Sequence, residues 1–304
     1  MEYSFVFVVQ AGSLEIKSML LAASLKRQLR CSHELIAAIP QPRERWGQPA
    51  ATTLAFLRRL GVRLEPISNG FTSDYPIGNK ISCLGVMTDA QIRIFLDSDM
   101  LAFQPFTGLS ETGAWGTDML FGAVPADTDT FGADDAIWAL IYGRQNLSLP
   151  RRRMHATVSG QPMLPYFNAG FIAVDRRVDF AATWLRVCRE IEADQRIGNK
   201  WPWLDQIGLP VAVQYLGIDY VALDERYNYP AHLKECGGDV YPYFVHYHHQ
   251  KVLARSPGLR ELVSELAREF PEVRDIIGAN RKWWPVLKLG VGSALAQYFR
   301  RGRQ

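Results

Sequence analysis

Apolar runs of strand length alternate with amphipathic helical segments through the first hundred residues, and this alternation constrains the fold more than any other feature. Tyr3 to Val9 reads as a strand, and "GSLEIKSMLLAASLKRQL" as a helix with Ser13 placed to cap it. "HELIAAIP" predicts a second strand, "ATTLAFLRRLG" a helix closed by Gly61, and "VRLEPIS" a third strand. A loop and a short helix near "GNKISCLGVM" lead to a fourth strand, Ile92 to Leu96. Such chains form α/β folds, in which a mostly parallel central sheet is covered by helices on both faces.

The middle of the chain is less regular. "MLFGAVPA" and "YFNAGFIAVD" predict strands and "FAATWLRVCREIEAD" a helix, whereas residues 125–165, rich in Gly, Pro, Asp and Arg, predict loops. Within that stretch Arg151, Arg152 and Arg153 read as a charged surface run. "DYVALDERYNY" and "YFVHYHHQK" read as short strands with polar ends. In "LRELVSELAREF", Leu259, Leu262, Val263, Leu266 and Phe270 share one face of a helix. There is no internal repeat and no low-complexity segment.

A chain of 304 residues, 48% hydrophobic and 12% aromatic, can bury about three quarters of its unfolded surface and needs no covalent staples. Cys31, Cys83, Cys188 and Cys236 are scattered, with no metal-type spacing, which predicts reduced thiols and a cytoplasmic setting. "MEYSFVFVVQ" carries Glu2 and no basic residue, so it predicts a first strand and not a leader. No stretch approaches the ~18 uninterrupted apolar residues of a spanning helix. A net charge of +3 speaks against nucleic acid as a partner. Its basic character lies in the tail, where Arg281, Lys282, Lys288, Arg300, Arg301 and Arg303 meet no acid. "RKWWPVLKLGVGSALAQYFRRGR" interleaves these with aromatics around an apolar helical stretch. The pattern suits a helix lying peripherally on an anionic membrane surface, with Trp283, Trp284, Tyr298 and Phe299 at headgroup depth. It suits equally a terminal helix docked on the body.

The fourth strand ends on a pair of carboxylates, "IRIFLDSDML". Residues i and i+2 of a strand share a face, so Asp97 and Asp99 can aim at one point beyond the strand's carboxyl end. That is where open α/β sheets bind ligands, and a divalent cation there would relieve the repulsion between the two acids. A solvated turn is the bland alternative for a bare Asp-X-Asp. Haloacid-dehalogenase-type phosphatases also end an apolar strand this way, but their motif opens the domain; here it follows nearly a hundred residues and continues to Met100 and Leu101.

Four separated segments, in order, resemble the GT-A glycosyltransferases of the glycogenin and lipopolysaccharide-galactosyltransferase type. They are "FLDSDMLAF", "YFNAGFIAVD", "WLDQIGLPVAV" and "YFVHYHHQK". The resemblance implies a GT-A catalytic domain over residues 1–255 and a helical, basic and aromatic extension over 256–304. It implies a metal-dependent transfer of sugar from a nucleoside diphosphate, expected to be UDP, to a glycan or glycolipid, with retention of anomeric configuration. Asp97, Asp99 and His246 would hold Mn²⁺ or Mg²⁺, with His248 and His249 as competitors of His246. Gln10, Ala11, Gly12, Lys80, Asp97, Ser98 and Lys251 would bind the donor nucleotide. Asn168, Ala169 and Gly170 would lie against the transferred sugar. Asp205 and Gln206 would act near its anomeric carbon, although Asp205 also reads as a plain helix N-cap. The loop after His246 lacks the family's Gly and has Lys251 five residues on where the family has six. A nucleotidyltransferase is the alternative, but "QAGSLEIKS" offers a single Gly where those enzymes carry a Gly-rich basic loop. A non-catalytic nucleotide-sugar-binding protein on the same fold is the third reading.

Overall fold

The structure is a computed structural model and describes residues 2–71, 75–111, 113–131, 135–236 and 240–289. Its strands are β1 (Tyr3–Val8), β2 (His33–Gln41), β3 (Arg63–Ser68), β4 (Ile92–Leu96), β5 (Met100–Ala102), β6 (Phe121–Pro125), β7 (Met154–His155), β8 (Pro162–Met163), β9 (Phe167–Asp175), β10 (Tyr220–Ala222), β11 (Tyr229–Pro230) and β12 (Phe244–His246). The helices are α1 (Ser13–Gln28), α2 (Arg43–Trp46), α3 (Ala51–Arg59), α4 (Gly78–Cys83), α5 (Asp135–Gly143), α6 (Phe180–Ala193), α7 (Leu204–Tyr215), α8 (Gln250–Arg255), α9 (Pro257–Glu269) and α10 (Pro271–Gly278).

Seven strands form the central sheet in the order β10-β6-β9-β4-β1-β2-β3, and only β9 runs against the others. The strands are apolar on both sides because both faces are covered. Along β1, Phe5 and Phe7 enter one core while Val6 and Val8 enter the other. Along β4, Ile92, Ile94 and Leu96 face the first core and Phe95 the second. Helices α1, α3, α9 and α10 close the first core, and α4, α5, α6 and α7 close the second. From β1 the chain steps outward to β2 and β3, then returns to place β4 on the other side of β1. A crevice opens at such a reversal, beyond the carboxyl ends of the two strands.

Local chemistry departs from the sequence reading in four places. Residues 125–165 hold α5 and a β7–β8 hairpin in addition to loops. Ser13 is the first residue of α1 and caps nothing; Gly12, left-handed at φ 88°, precedes it and donates its N–H to Glu15 Oε1 at 3.2 Å. An acid suits that first turn because the helix dipole is positive there. The other Glu15 oxygen accepts from Ala50 N–H and Thr53 Oγ1, both at 2.8 Å, and ties α1 to the start of α3. Asp205 is likewise not an N-cap: Trp203 stands there, and Asp205 lies inside the first turn of α7. Finally, "YFVHYHHQK" stays extended only to His246, and His248 turns left-handed at φ 54°.

Leu259, Leu262, Val263, Leu266 and Phe270 are all buried, as their spacing predicts, in the core that also contains Ile16, Met19 and Leu20 of α1. Arg27 pairs with Glu265 at 2.6 Å and Arg59 with Glu272 at 2.7 Å across the same seam. Trp283 is 2% exposed and packs in the first core, while Trp284 is half-buried and donates its indole N–H to the Gly278 carbonyl at 2.8 Å. Tyr298 and Phe299 lie outside the described residues. No helix among the described residues is long and apolar enough to cross a membrane.

Candidate active site

Backbone ladders gather the distant segments around the end of β4. The β4–β9 pairing extends past Leu96, where the Asp97 N–H donates to the Gly170 carbonyl at 2.8 Å. Directly after Asp99 the chain enters β5, which pairs antiparallel with β12 in a register that sets Met100 opposite His246. The Tyr247 N–H then donates to the Asp99 carbonyl at 3.1 Å. Two pairings thus close sequence gaps of well over fifty residues, and His246 arrives beside Asp99 because of them.

The side chains complete a charged network. His246 Nε2 lies 2.9 Å from Asp99 Oδ1 and 3.9 Å from Asp97 Oδ2, while its Nδ1 meets Asn228 Oδ1 at 3.1 Å. Lys17 Nζ donates to Asp99 Oδ2 at 3.0 Å and to the His248 carbonyl at 2.9 Å. Lys80 Nζ bridges Asp97 Oδ2 at 3.1 Å and Asp205 Oδ2 at 3.0 Å. Tyr75 donates its hydroxyl to Asp205 Oδ1 at 3.0 Å, and the Asp205 N–H returns a bond to that hydroxyl at 3.1 Å. Ser98 Oγ donates to the Val8 carbonyl at 2.6 Å and so clamps the ends of β4 and β1 together.

The two acids of the pair are not equivalent. Burial lifts the Asp97 carboxyl above its ordinary value, and Asp99 adds to the rise, in spite of Lys80. Burial also opposes the charge on Asp99, but His246 and Lys17 outweigh it and hold that carboxyl far below the ordinary range. Lys80 is raised, because Asp205 and Asp97 overcome its own desolvation. Burial and the neighbouring His246 push the His248 imidazole down to about 2.

Lys80, Asp97, Asp99, Asp205, His246 and His248 line a cleft of about 620 Å³ with Gln10, Asn168, Gln206 and Trp203, the last 46% exposed. Of the residues singled out from the sequence, Gln10, Lys80, Asp97, Ser98, Asp99, Asn168, Asp205, Gln206 and His246 come together here. Ala169 is buried in the core behind the cleft. Gly170 gives room to the histidine: a Cβ there would sit 2.8 Å from His246 Nδ1 and 3.0 Å from the Asn228 amide. Gly12 faces a neighbouring cavity of about 790 Å³, Ala11 packs under Gly47, and Lys251 is exposed on the first turn of α8. Of the competing histidines, His248 lines the cleft, while His249 caps α8, its ring accepting from the Lys251 N–H at 3.2 Å.

Sequence reasoning missed Lys17, Tyr75 and Asn228 of the network, and Asp127 and His232, which line the cleft. Lys17 left a trace, as a lone charge in the otherwise uncharged run from Ile16 to Leu25. The others are ordinary loop residues whose role depends on what folds against them.

The residues at the mouth of β4 suit a divalent cation. Asp99, His246 and His248 offer ligand atoms that all lie within 4.8 Å of one another, and Asp97 adds a carboxylate oxygen next to them. Carboxylate and imidazole are the donors that first-row divalent ions accept.

Comparison with known proteins agrees with the fold. The sequence profile of the Rhodobacterales glycosyltransferase domain matches residues 5–217. No curated protein matches the chain by sequence. Among solved structures, the chain is similar to the galactosyltransferase LgtC in complex with donor and acceptor sugar analogues, at 16% identity and a TM-score of 0.52 over 88% of this chain and 95% of that one. An active-site variant of LgtC gives 15% identity and a TM-score of 0.53 over the same shares. The bifunctional glycosyltransferase WbbM gives 13% and 0.52, with 90% of this chain covering 51% of that one. At these identities the structural likeness establishes the GT-A fold.

Proposed function

This chain belongs to the Rhodobacterales glycosyltransferase domain family, and from that premise we propose that it moves a sugar from a nucleoside diphosphate, UDP by preference, to a hydroxyl of a glycan or glycolipid, assisted by Mn²⁺ or Mg²⁺. One observation carries the reading. Asp97, Asp99 and His246 share a single cleft with Asn168, Asp205 and Gln206, at the carboxyl ends of β1 and β4.

Asp97, Asp99 and His246 would hold the cation, which supplies Lewis-acid stabilisation to a diphosphate leaving group. Gln10 and Ser98 line the side of the cleft that would receive the nucleotide, and Ala11 and Gly12 follow Gln10 in the turn that leads into α1. Lys80 sits between Asp97 and Asp205, where it neutralises two acids and stands within reach of a phosphate. Lys251, exposed at the start of α8, would add a point charge to the diphosphate from outside the cleft. Asn168 and Gln206 present amides able both to donate to and to accept from sugar hydroxyls. The exposed Trp203 offers an apolar face to an acceptor sugar ring.

Both Asp205 oxygens are already engaged, one by Tyr75 and one by Lys80. That arrangement favours Asp205 as a fixed anion near the anomeric carbon over a free nucleophile. In the retaining reaction proposed, the leaving phosphate would then be the group that assists attack on the same face of the sugar.

Donor hydrolysis is the assay. We expect it to require a divalent cation and to fall by at least a hundredfold in Asp97→Ala and Asp99→Ala proteins that keep the wild-type melting profile. Unchanged turnover in those proteins, or in excess chelator, would refute the metal role.

A further inference from the structure

One carboxylate of the cleft takes no part in its network. Of the five aspartates that line the cleft, Asp97, Asp99 and Asp205 are bonded to Lys80, His246, Lys17 and Tyr75. Asp129 spends its oxygens on the Phe131 N–H at 2.9 Å and the Trp138 indole at 3.3 Å. Asp127 is half-buried, and its side chain makes no hydrogen bond among the described residues. Its backbone is nevertheless fixed. The Ala126 N–H donates to the Tyr166 carbonyl at 2.9 Å, the Thr157 N–H to the Ala126 carbonyl at 3.0 Å and the Ser159 N–H to the Asp127 carbonyl at 3.2 Å. Burial lifts the Asp127 carboxyl above its ordinary value, although His246 and Lys234 oppose the rise. A desolvated acid without a partner is costly, and in a cleft it marks a place where a ligand supplies one.

Sheet order says which part of the donor comes near. β4, β9 and β6 are neighbours, and β6 runs parallel to β4, so both carboxyl ends open on the same edge. Asp97 and Asp99 follow β4, Asn168 stands at the start of β9, and Asp127 follows β6. Two strand spacings, roughly 10 Å, separate β6 from β4. A metal-bound phosphate and one hexose fill such a span, which sets the side of the sugar away from its anomeric carbon against Asp127. From this placement we infer that Asp127 selects the donor sugar, accepting from a hydroxyl of a neutral hexose and refusing a uronic acid, whose own carboxylate would face it. The inference rests on the nucleotide-sugar reading above and names the class of sugar. An ionised carboxylate can only accept, so it rewards a hydroxyl and repels an anion. A uronate would need a cation to pair with. Lys80 is the only Lys or Arg among the described residues that line the cleft, and Asp97 and Asp205 already hold it.

Calorimetry of the full chain with Mn²⁺ tests this on two pairs of probes, UDP-glucose with UDP-glucuronate and UDP-galactose with UDP-galacturonate. Each pair differs only in a hydroxymethyl against a carboxylate, and UDP alone is the reference. At least one neutral sugar is expected to bind, and its uronate partner at least tenfold more weakly. In Asp127→Asn that ratio should fall below threefold while UDP affinity stays within twofold; Asp127→Ser takes its place if the first variant does not fold. A uronate bound by the unaltered protein as well as its neutral partner would overturn the inference, as would a ratio that the substitution leaves unmoved. In either case binding of UDP leaves the nucleotide reading intact. No binding of UDP or of any of the sugars would overturn both.

Discussion

Lys80 joins the two halves of the cleft, because one ammonium compensates an acid from β4 and an acid from α7. Removing one member of a buried ionic group leaves the others uncompensated. Lys80→Met is therefore expected to lower stability by about 3 kcal/mol in urea denaturation, and the Lys80→Met/Asp205→Asn pair by less than the sum of the single changes. Gly170 is tested by addition. Gly170→Ala drives a methyl against His246 and Asn228 and is expected to cost about 1–3 kcal/mol, the usual cost of overpacking, with at least a tenfold loss of donor turnover. At this scale the sequence was partly legible. Asp97, Asp99, Asp205 and Gln206 stand in short strings whose order resembles a family, and all line the cleft. Lys17 and Tyr75 stand in no such string, and their roles follow from contacts 82 and 130 residues away.

Three elements end on the same device, an Asp-X-Arg turn. Asp175 closes β9, Asp194 ends α6 and Asp224 follows β10. In each, one carboxylate oxygen accepts the backbone N–H and the Nε of the arginine two residues on, and the other oxygen takes Nη2. Burial alone would raise Asp175 and Asp224, but Arg177 and Arg226 outweigh it; at Asp194 the hydrogen bonds from Arg196 dominate. All three carboxyls are held below the ordinary value of about 3.9. Depressed carboxylates add stability that is complete above that value and is lost as pH falls through the lower folded one. Denaturation midpoints are thus expected to drop below about pH 4. An Asp175→Asn/Asp194→Asn/Asp224→Asn protein should be less stable at pH 7 and show a flatter acid limb; an identical limb would remove the turns from the explanation. Element types were readable from periodicity, as β4 and α9 show. Element ends were harder: Ser13 could cap α1 and Asp205 also read as a cap, whereas Gly12 and Trp203 stand there, with Glu15 bonded to Gly12 and to the start of α3 and Asp205 bonded to Lys80 and Tyr75.

The C-terminal helices share a core with the sheet. Phe270 meets Phe56 of α3 edge-on at 6.1 Å, and Val273, Ile277, Trp283 and Val286 belong to the same buried cluster as Phe5 and Leu20. A chain ending at Arg255 would expose the α1 and α3 side of that cluster. It is expected to lose cooperative unfolding in calorimetry, whereas a melt like that of the full chain would show that residues 1–255 stand alone. The sequence by itself determined the α/β class, the parallel sheet, the buried face of α9 and the carboxylate pair at the end of β4. These depend on periodicity and on neighbours within a few residues, which a linear string records. Only the tertiary structure decided that Lys17 and Lys80 balance that pair, that Gly170 makes room for His246, and that His248 turns its ring into the same place. Each of those facts is a meeting of segments through sheet register and packing, and nothing in the local sequence encodes which distant side chain will be there.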